Sequence, residues 1–201
     1  YETEEGFTLK VELAGVAKTD WSWSSLFADV DNDGLKDLLI TNGFPKDLTD
    51  MDYIRYRDDV GTITKPGQLL MILPELKLPS YAYKNQGNLT FTDNTNIWGL
   101  NTPAYSNGAA FADFDNDGDL DYVVTNIDDK IHFYENTLYS GAQDEGHPNY
   151  LRLKLDGAGV IDGFGAKITV TYDEGKRQFH DHSVYRGYLS TVEDVVHFGL
   201  G

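Results

Sequence analysis

A nine-residue segment, Asp29-Val30-Asp31-Asn32-Asp33-Gly34-Leu35-Lys36-Asp37, recurs as Asp113-Phe114-Asp115-Asn116-Asp117-Gly118-Asp119-Leu120-Asp121. Each copy spaces carboxylates at positions 1, 3, 5 and 9 and puts glycine at position 6. A plain acidic turn needs one aspartate and one glycine, not four acids in fixed phase. Alternate side chains converge on one point, and the glycine permits the sharp bend. A hard cation such as Ca²⁺ takes six to eight oxygens at roughly 2.3–2.6 Å. Asp29, Asp31, Asp33 and Asp37 with the Leu35 carbonyl come close to that shell. So do Asp113, Asp115, Asp117 and Asp121 with the Asp119 carbonyl, an arrangement that turns the Asp119 side chain away. Without a cation, so many like charges in one loop repel each other. An EF-hand needs Glu at position 12, but Ile40 and Val124 stand there, which excludes it.

The repeat extends beyond the loop. Between Phe27–Asn42 and Phe111–Asn126, ten of sixteen residues are identical, and the copies start 84 residues apart. Short apolar runs flank each loop: Leu26-Phe27-Ala28 and Leu38-Leu39-Ile40 in one, Ala110-Phe111-Ala112 and Tyr122-Val123-Val124 in the other. They predict two buried strands joined by the loop. Further strand-like segments follow, at Tyr81–Asn85, Leu89–Asp93 and Ile131–Asn136, and Asn85-Gln86-Gly87-Asn88 reads as a hairpin turn. About four short strands per unit is the pattern of a β-propeller blade.

The Phe-Ala-Asp-x-Asp-x-Asp-Gly-x-x-Asp pattern before an apolar strand resembles the FG-GAP/VCBS repeat of α-integrin-type propellers. Tyr83–Asp93 is similar to the outer strands of such blades, and the resemblance covers roughly residues 20–137. It implies two Ca²⁺ sites, one in each aspartate loop, between the first two strands of a blade.

The first unit carries an insertion at about 44–80. Asp47–Asp58 has acids early and arginines late, an order suited to a helix macrodipole. Pro66 to Leu73 reads as a second helix, with Pro66 near its first turn and Pro74 ending it. Met51, Tyr53, Ile54 and Tyr56 either pack this excursion onto the blade or form an exposed recognition surface.

The C-terminal third changes character. Tyr150–Leu155 alternates strictly, Gly163–Tyr172 and Arg177–Val184 read as further strands about a turn at Asp173-Glu174-Gly175-Lys176, and the signals are those of a small all-β barrel or sandwich. Asn149-Tyr150-Leu151, Gly163-Phe164-Gly165-Ala166, Gly187-Tyr188-Leu189-Ser190 and His197-Phe198-Gly199-Leu200-Gly201 resemble the ASPIC/UnbV domain found after FG-GAP repeats in cartilage acidic protein-like sequences. That family implies no defined activity.

The chain holds 33 acidic residues against 16 basic ones, a net charge of −17. Two bound Ca²⁺ leave it at about −13, so nucleic acid, which wants a basic footprint, is excluded as a partner. There is no cysteine, hence no disulfide and no thiolate site. No apolar run reaches the roughly 20 residues of a transmembrane segment. The acidic start without methionine and the end at a domain motif predict a fragment of a larger propeller protein.

The expected fold is therefore all-β. Residues 1–140 form two blades with calcium loops and a small helical insertion, and 149–201 form a C-terminally truncated β-barrel or sandwich domain. The expected function is a calcium-stabilised binding or scaffold module, secreted, periplasmic or at the cell surface, that recognises a protein or glycan ligand. The competing class is part of a glycan-acting enzyme whose catalytic residues lie on the insertion or outside this sequence. Weaker candidates are the pair His180 and His182, two residues apart on a strand, and a carbohydrate platform of Trp21, Trp23 and Trp98.

Overall fold

The computed structural model describes residues 2–3, 6–7, 10–60, 66–139, 147–157 and 163–201. The insertion's 61–65 and the C-terminal domain's 158–162 lie outside the described residues. Strands β1 (Glu2–Thr3) and β2 (Gly6–Phe7) form a small ribbon, and α1 (Val11–Ala14) follows. The first main sheet orders β3 (Ser22–Ala28), β4 (Asp37–Asn42), β5 (Tyr81–Asn85) and β6 (Phe91–Asp93) side by side. Helices α2 (Met51–Val60) and α3 (Pro66–Met71) interrupt it between β4 and β5. The second sheet holds β7 (Ser106–Ala112), β8 (Asp121–Asn126) and β9 (His132–Tyr134). All pairings in both are antiparallel.

The internal repeat is a repeat of register. Ser22 pairs with Asn42, Leu26 with Leu39 and Ala28 with Asp37. Ser106 with Asn126, Ala110 with Val123 and Ala112 with Asp121 reproduce those pairs. Even the irregularity between Ser22 and Ser25 returns between Ser106 and Ala109. A strand hairpin this closely copied fixes where the aspartate loop emerges, since a slip of one residue would turn every side chain over.

The main core lies between the two sheets. Leu26, Leu39, Ala82, Leu100, Ala109, Tyr122 and Val124 are buried there, with Trp98 and Phe111 packed against them. Leu38, Ile40 and Tyr83 form a second cluster with Val16, Tyr81 and Phe91. Strand β4 is thus buried on both faces, which explains its unbroken apolar run. Truncating Leu39 to alanine would cost about 2–5 kcal/mol, the usual range for a fully enclosed leucine.

The insertion does form helices, but α2 does not pack under the blade. None of its residues is buried, while Tyr53 and Ile54 are half-buried. Asp50 caps it, its Oδ1 accepting from the Tyr53 N–H at 2.7 Å, and Arg57 lies in its last turn. Leu69 and Leu73 are buried and anchor the segment. Trp21 and Trp23 stack on Phe44 and Trp98 joins the core, so the three indoles form no common platform.

In the C-terminal domain, β10 (Tyr150–Leu153) pairs with β13 (Val196–Gly199). Strands β11 (Lys167–Tyr172) and β12 (Lys176–Asp181) form a separate hairpin about a 3₁₀ turn at Asp173–Gly175. Among the described residues these two ribbons do not close into a barrel. The alternating patterns specify half-buried strands, and the two ribbons meet: the His180 and Phe198 rings lie 6.1 Å apart, and Gln178 Nε2 donates to the Gly199 carbonyl at 2.5 Å.

Candidate metal centre

Each loop connects the first two strands of its sheet, and the two share one hydrogen-bond frame. The Gly34 N–H donates to Asp29 Oδ2 at 2.9 Å, and the Gly118 N–H to Asp113 Oδ2 at 3.2 Å. The position-9 aspartates are held at both oxygens. Asp37 accepts from the N–H groups of Val30 and Asn85, and Asp121 from those of Phe114 and Asn136. Asn85 and Asn136 also donate through their side chains to the carbonyls of Lys36 and Leu120. These two asparagines latch the third strand of each sheet to its loop. Their sequence signal is the recurring Tyr-x-Asn of Tyr83-Lys84-Asn85 and Tyr134-Glu135-Asn136.

Carboxylate oxygens of Asp29, Asp31 and Asp37 lie within 4.8 Å of one another, as do those of Asp113, Asp115 and Asp117. Asp33 and Asp121 fall outside these groups. Asp33 accepts from the Leu35 N–H and from Lys84 Nζ, each at 2.9 Å, and Asp121 is committed to its two backbone donors. Asp119 is buried, and its Oδ2 accepts from the Tyr139 N–H at 3.2 Å. The Leu35 side chain is exposed.

The donor set fits a hard cation. It is all oxygen, and Oδ1 of Asp29, Asp31 and Asp113 is buried without a hydrogen bond. Burial, then the charge of Asp33, pushes the Asp29 carboxyl up to about 7. Burial likewise raises Asp37 to about 7 against the opposing Asn85 N–H. Asp119 also rises to about 7, through burial and then Asp117. The loops resist carrying their full negative charge, and a divalent ion would relieve that resistance.

Each loop also meets a cation of the chain itself. Lys84 Nζ bonds Asp31 and Asp33; burial works against its charge, but these two partners hold its pKa raised. Glu135 stands at the matching place in the second sheet. There Arg152, from β10, donates to Asp113 at 2.6 Å and to Glu193 at 2.8 Å.

The C-terminal domain covers both loops. Tyr172 lies over Gly34 and Tyr150 over Gly118: a Cβ at these glycines would come within 2.5 Å of the Tyr172 hydroxyl and 2.1 Å of the Tyr150 ring. The position-6 glycines therefore serve close approach as well as their left-handed φ of 89° and 103°. Asn32 is fully buried at the centre. Its amide donates to the Gly118 carbonyl and the Tyr139 hydroxyl, both at 3.1 Å, and its Oδ1 lies 2.6 Å from His197 Nε2. Its backbone carbonyl accepts from the Gly201 N–H at 3.0 Å. The rings of His180 and His182 lie 6.1 Å apart, but His182 bonds Asp194 and His180 faces Lys36, and among the described residues the pair belongs to no group of three metal-ligating side chains.

Two copied antiparallel sheets with aspartate loops, covered by a ribbon domain, define a repeat protein of the all-β blade type. The FG-GAP-like repeat family matches residues 70–138 and the ASPIC and UnbV family matches 158–201. The chain carries an FG-GAP-like repeat followed by an ASPIC/UnbV domain. No curated protein gives a significant match, so the narrower likeness to cartilage acidic protein-like sequences gains no support. The matched repeat includes the second loop. The first loop lies outside it and is tied to it by the copied register.

Proposed function

We propose that this chain is a calcium-stabilised binding module of the extracellular type, working at a cell surface, in a periplasm or after secretion. The observation that carries the reading is the twice-built loop with buried, unbonded carboxylate oxygens. Asp29, Asp31, Asp33, Asp37 and the Leu35 carbonyl would hold one ion. Asp113, Asp115, Asp117, Asp121 and the Asp119 carbonyl would hold the other. A bound Ca²⁺ supplies charge neutralisation and a local cross-link. The chain does the rest: Asn85 and Asn136 fix the position-9 carboxylates, and the strands on either side hold the loop ends. Every proposed ligand in a loop is local, and each loop joins two paired strands, which suits a structural role. No helix among the described residues is long and apolar enough to cross a membrane. The exposed α2 is the proposed contact surface for a protein or glycan.

The test is calorimetric titration of Ca²⁺ into chelator-stripped protein. About two sites are expected, and bound metal should stabilise the fold by roughly 2.7 kcal/mol at a hundredfold excess over Kd. Asp31→Ala and Asp115→Ala should each remove one site. Absence of binding up to several millimolar, the weak end for extracellular modules, would overturn the reading.

A further inference from the structure

A cavity of about 560 Å³ opens between both repeats and the C-terminal domain, and no residue of α2 lines it. Two cations, Lys36 and Arg186, line it together with the half-buried His180. Lys36 Nζ lies 3.4 Å from His180 Nδ1, and Arg186 donates to the Asp181 carbonyl at 2.8 Å. Among the described residues neither cation makes an ion pair with a carboxylate. Burial and then Arg186 oppose the charge of Lys36, and Asp29 offsets them in part.

Of the three acids that line the cavity, two have other engagements and the third is open to solvent. Asp29 belongs to the aspartate loop, Glu193 pairs with Arg152, and Asp181 is exposed. Burial first, and then Lys36 and Arg186, depress His180 to about 4, so it stays neutral near pH 7 and adds no charge of its own to the cavity. Large apolar rings stand around the same opening: Phe27 is 55% exposed, Phe179 56% and Tyr185 76%. A volume of this size accommodates a small ligand of one or two rings.

We propose that this cavity binds a carboxylate carried on a six-membered ring, with Lys36 and Arg186 taking the charge and Phe27, Phe179 and Tyr185 taking the ring face. Arginine suits the planar carboxylate, and aromatic side chains suit the flat apolar side of a ring. The chemistry is shared by a sugar acid and an aromatic acid. The inference rests on the reading of this chain as a binding module and names the ligand class of a second surface on it.

The experiment titrates the full chain, in calcium, with galacturonate, galactose and benzoate, followed by ligand-observed NMR and calorimetry. Galacturonate should bind more tightly than galactose by about tenfold or more, the worth of one charged hydrogen bond. Benzoate binding in place of galacturonate would also support the carboxylate site and assign it to an aromatic acid. Arg186→Gln should weaken the acid by a similar factor, and Arg186→Lys should restore part of it. Equal binding of galactose and galacturonate would overturn the proposal. So would failure of both acids to bind the unaltered chain, or unchanged binding by a folded Lys36→Gln, Arg186→Gln double variant. If neither acid binds while chelator still lowers the melting temperature, only the carboxylate site falls.

Discussion

Asn32 and His197 stand 165 residues apart in sequence, yet Asn32 Oδ1 and His197 Nε2 lie 2.6 Å apart. The same asparagine amide reaches the Gly118 carbonyl of the other loop. One buried side chain thus joins both repeats to the C-terminal domain. Asn32→Ala should destabilise the fold by about 1–3 kcal/mol, because it strands buried partners. Urea denaturation followed by tryptophan fluorescence measures this. Asn116→Ala, at the matching position of the other loop, should cost less, and equal losses would deny Asn32 its special place.

Lys84 competes with any ion for Asp31 and Asp33. Lys84→Gln should therefore raise calcium affinity at the first loop several-fold and leave the second unchanged, since Coulomb repulsion falls off with distance and screening. The check is a titration of Lys84→Gln in an Asp115→Ala background, where only the first loop is intact. Weaker binding there would show that Lys84 helps to shape the loop instead of opposing the ion.

The stripped protein should respond to pH in the opposite sense to most carboxylate-rich folds. Burial raises Asp29 and Asp37 to about 7, from about 3.9 in the unfolded chain. Their contribution to stability is complete below about pH 4 and is lost as pH rises through about 7. Calcium, which favours the ionised form, should reverse this. His197 runs the other way: burial, then Arg152, depresses it to about 4. Its contribution is present above about pH 6.5 and lost as pH falls through about 4. Melting curves between pH 5 and 8.5 should show the calcium-induced gain in melting temperature growing with pH. A gain that does not change with pH would contradict the assignment.

Met51 is 60% exposed and Tyr56 47%, and Arg55 and Arg57 are exposed beside them. The triple change Tyr53→Ala, Arg55→Ala, Tyr56→Ala should cost no more than about 2 kcal/mol, most of it from the half-buried Tyr53. It should also abolish partner capture if α2 is the contact surface, aromatics and arginine being the types that dominate binding hot spots. A folded triple variant that keeps every partner removes α2 from consideration.

The blades were legible because their information is local. The 84-residue offset between Asp29 and Asp113 carries the strand pairs, the bulges and the turn with it. The helices were legible from Pro66 and the charge order of Asp47–Asp58, but the exposure of α2 was not, since packing depends on what lies opposite. Between barrel and sandwich the sequence could not choose for a similar reason: alternation in Tyr150–Leu155 specifies a half-buried strand and says nothing about what covers it. Arg152 and His197 gave no local sign that they would reach Asp113 and Asn32. Such contacts are set by the docking of one domain on another.

The long reach from Asn32 to His197 also sets a timetable during synthesis. A ribosome adding about 5–20 residues per second needs roughly 10–30 s to pass from the first loop to the segment that covers it. Through that interval the carboxylates of the first loop face open solvent beside strands already able to pair. An ion held there would enter most readily before closure. A chain made where calcium is scarce would seal its loops empty-handed and have to reopen them later.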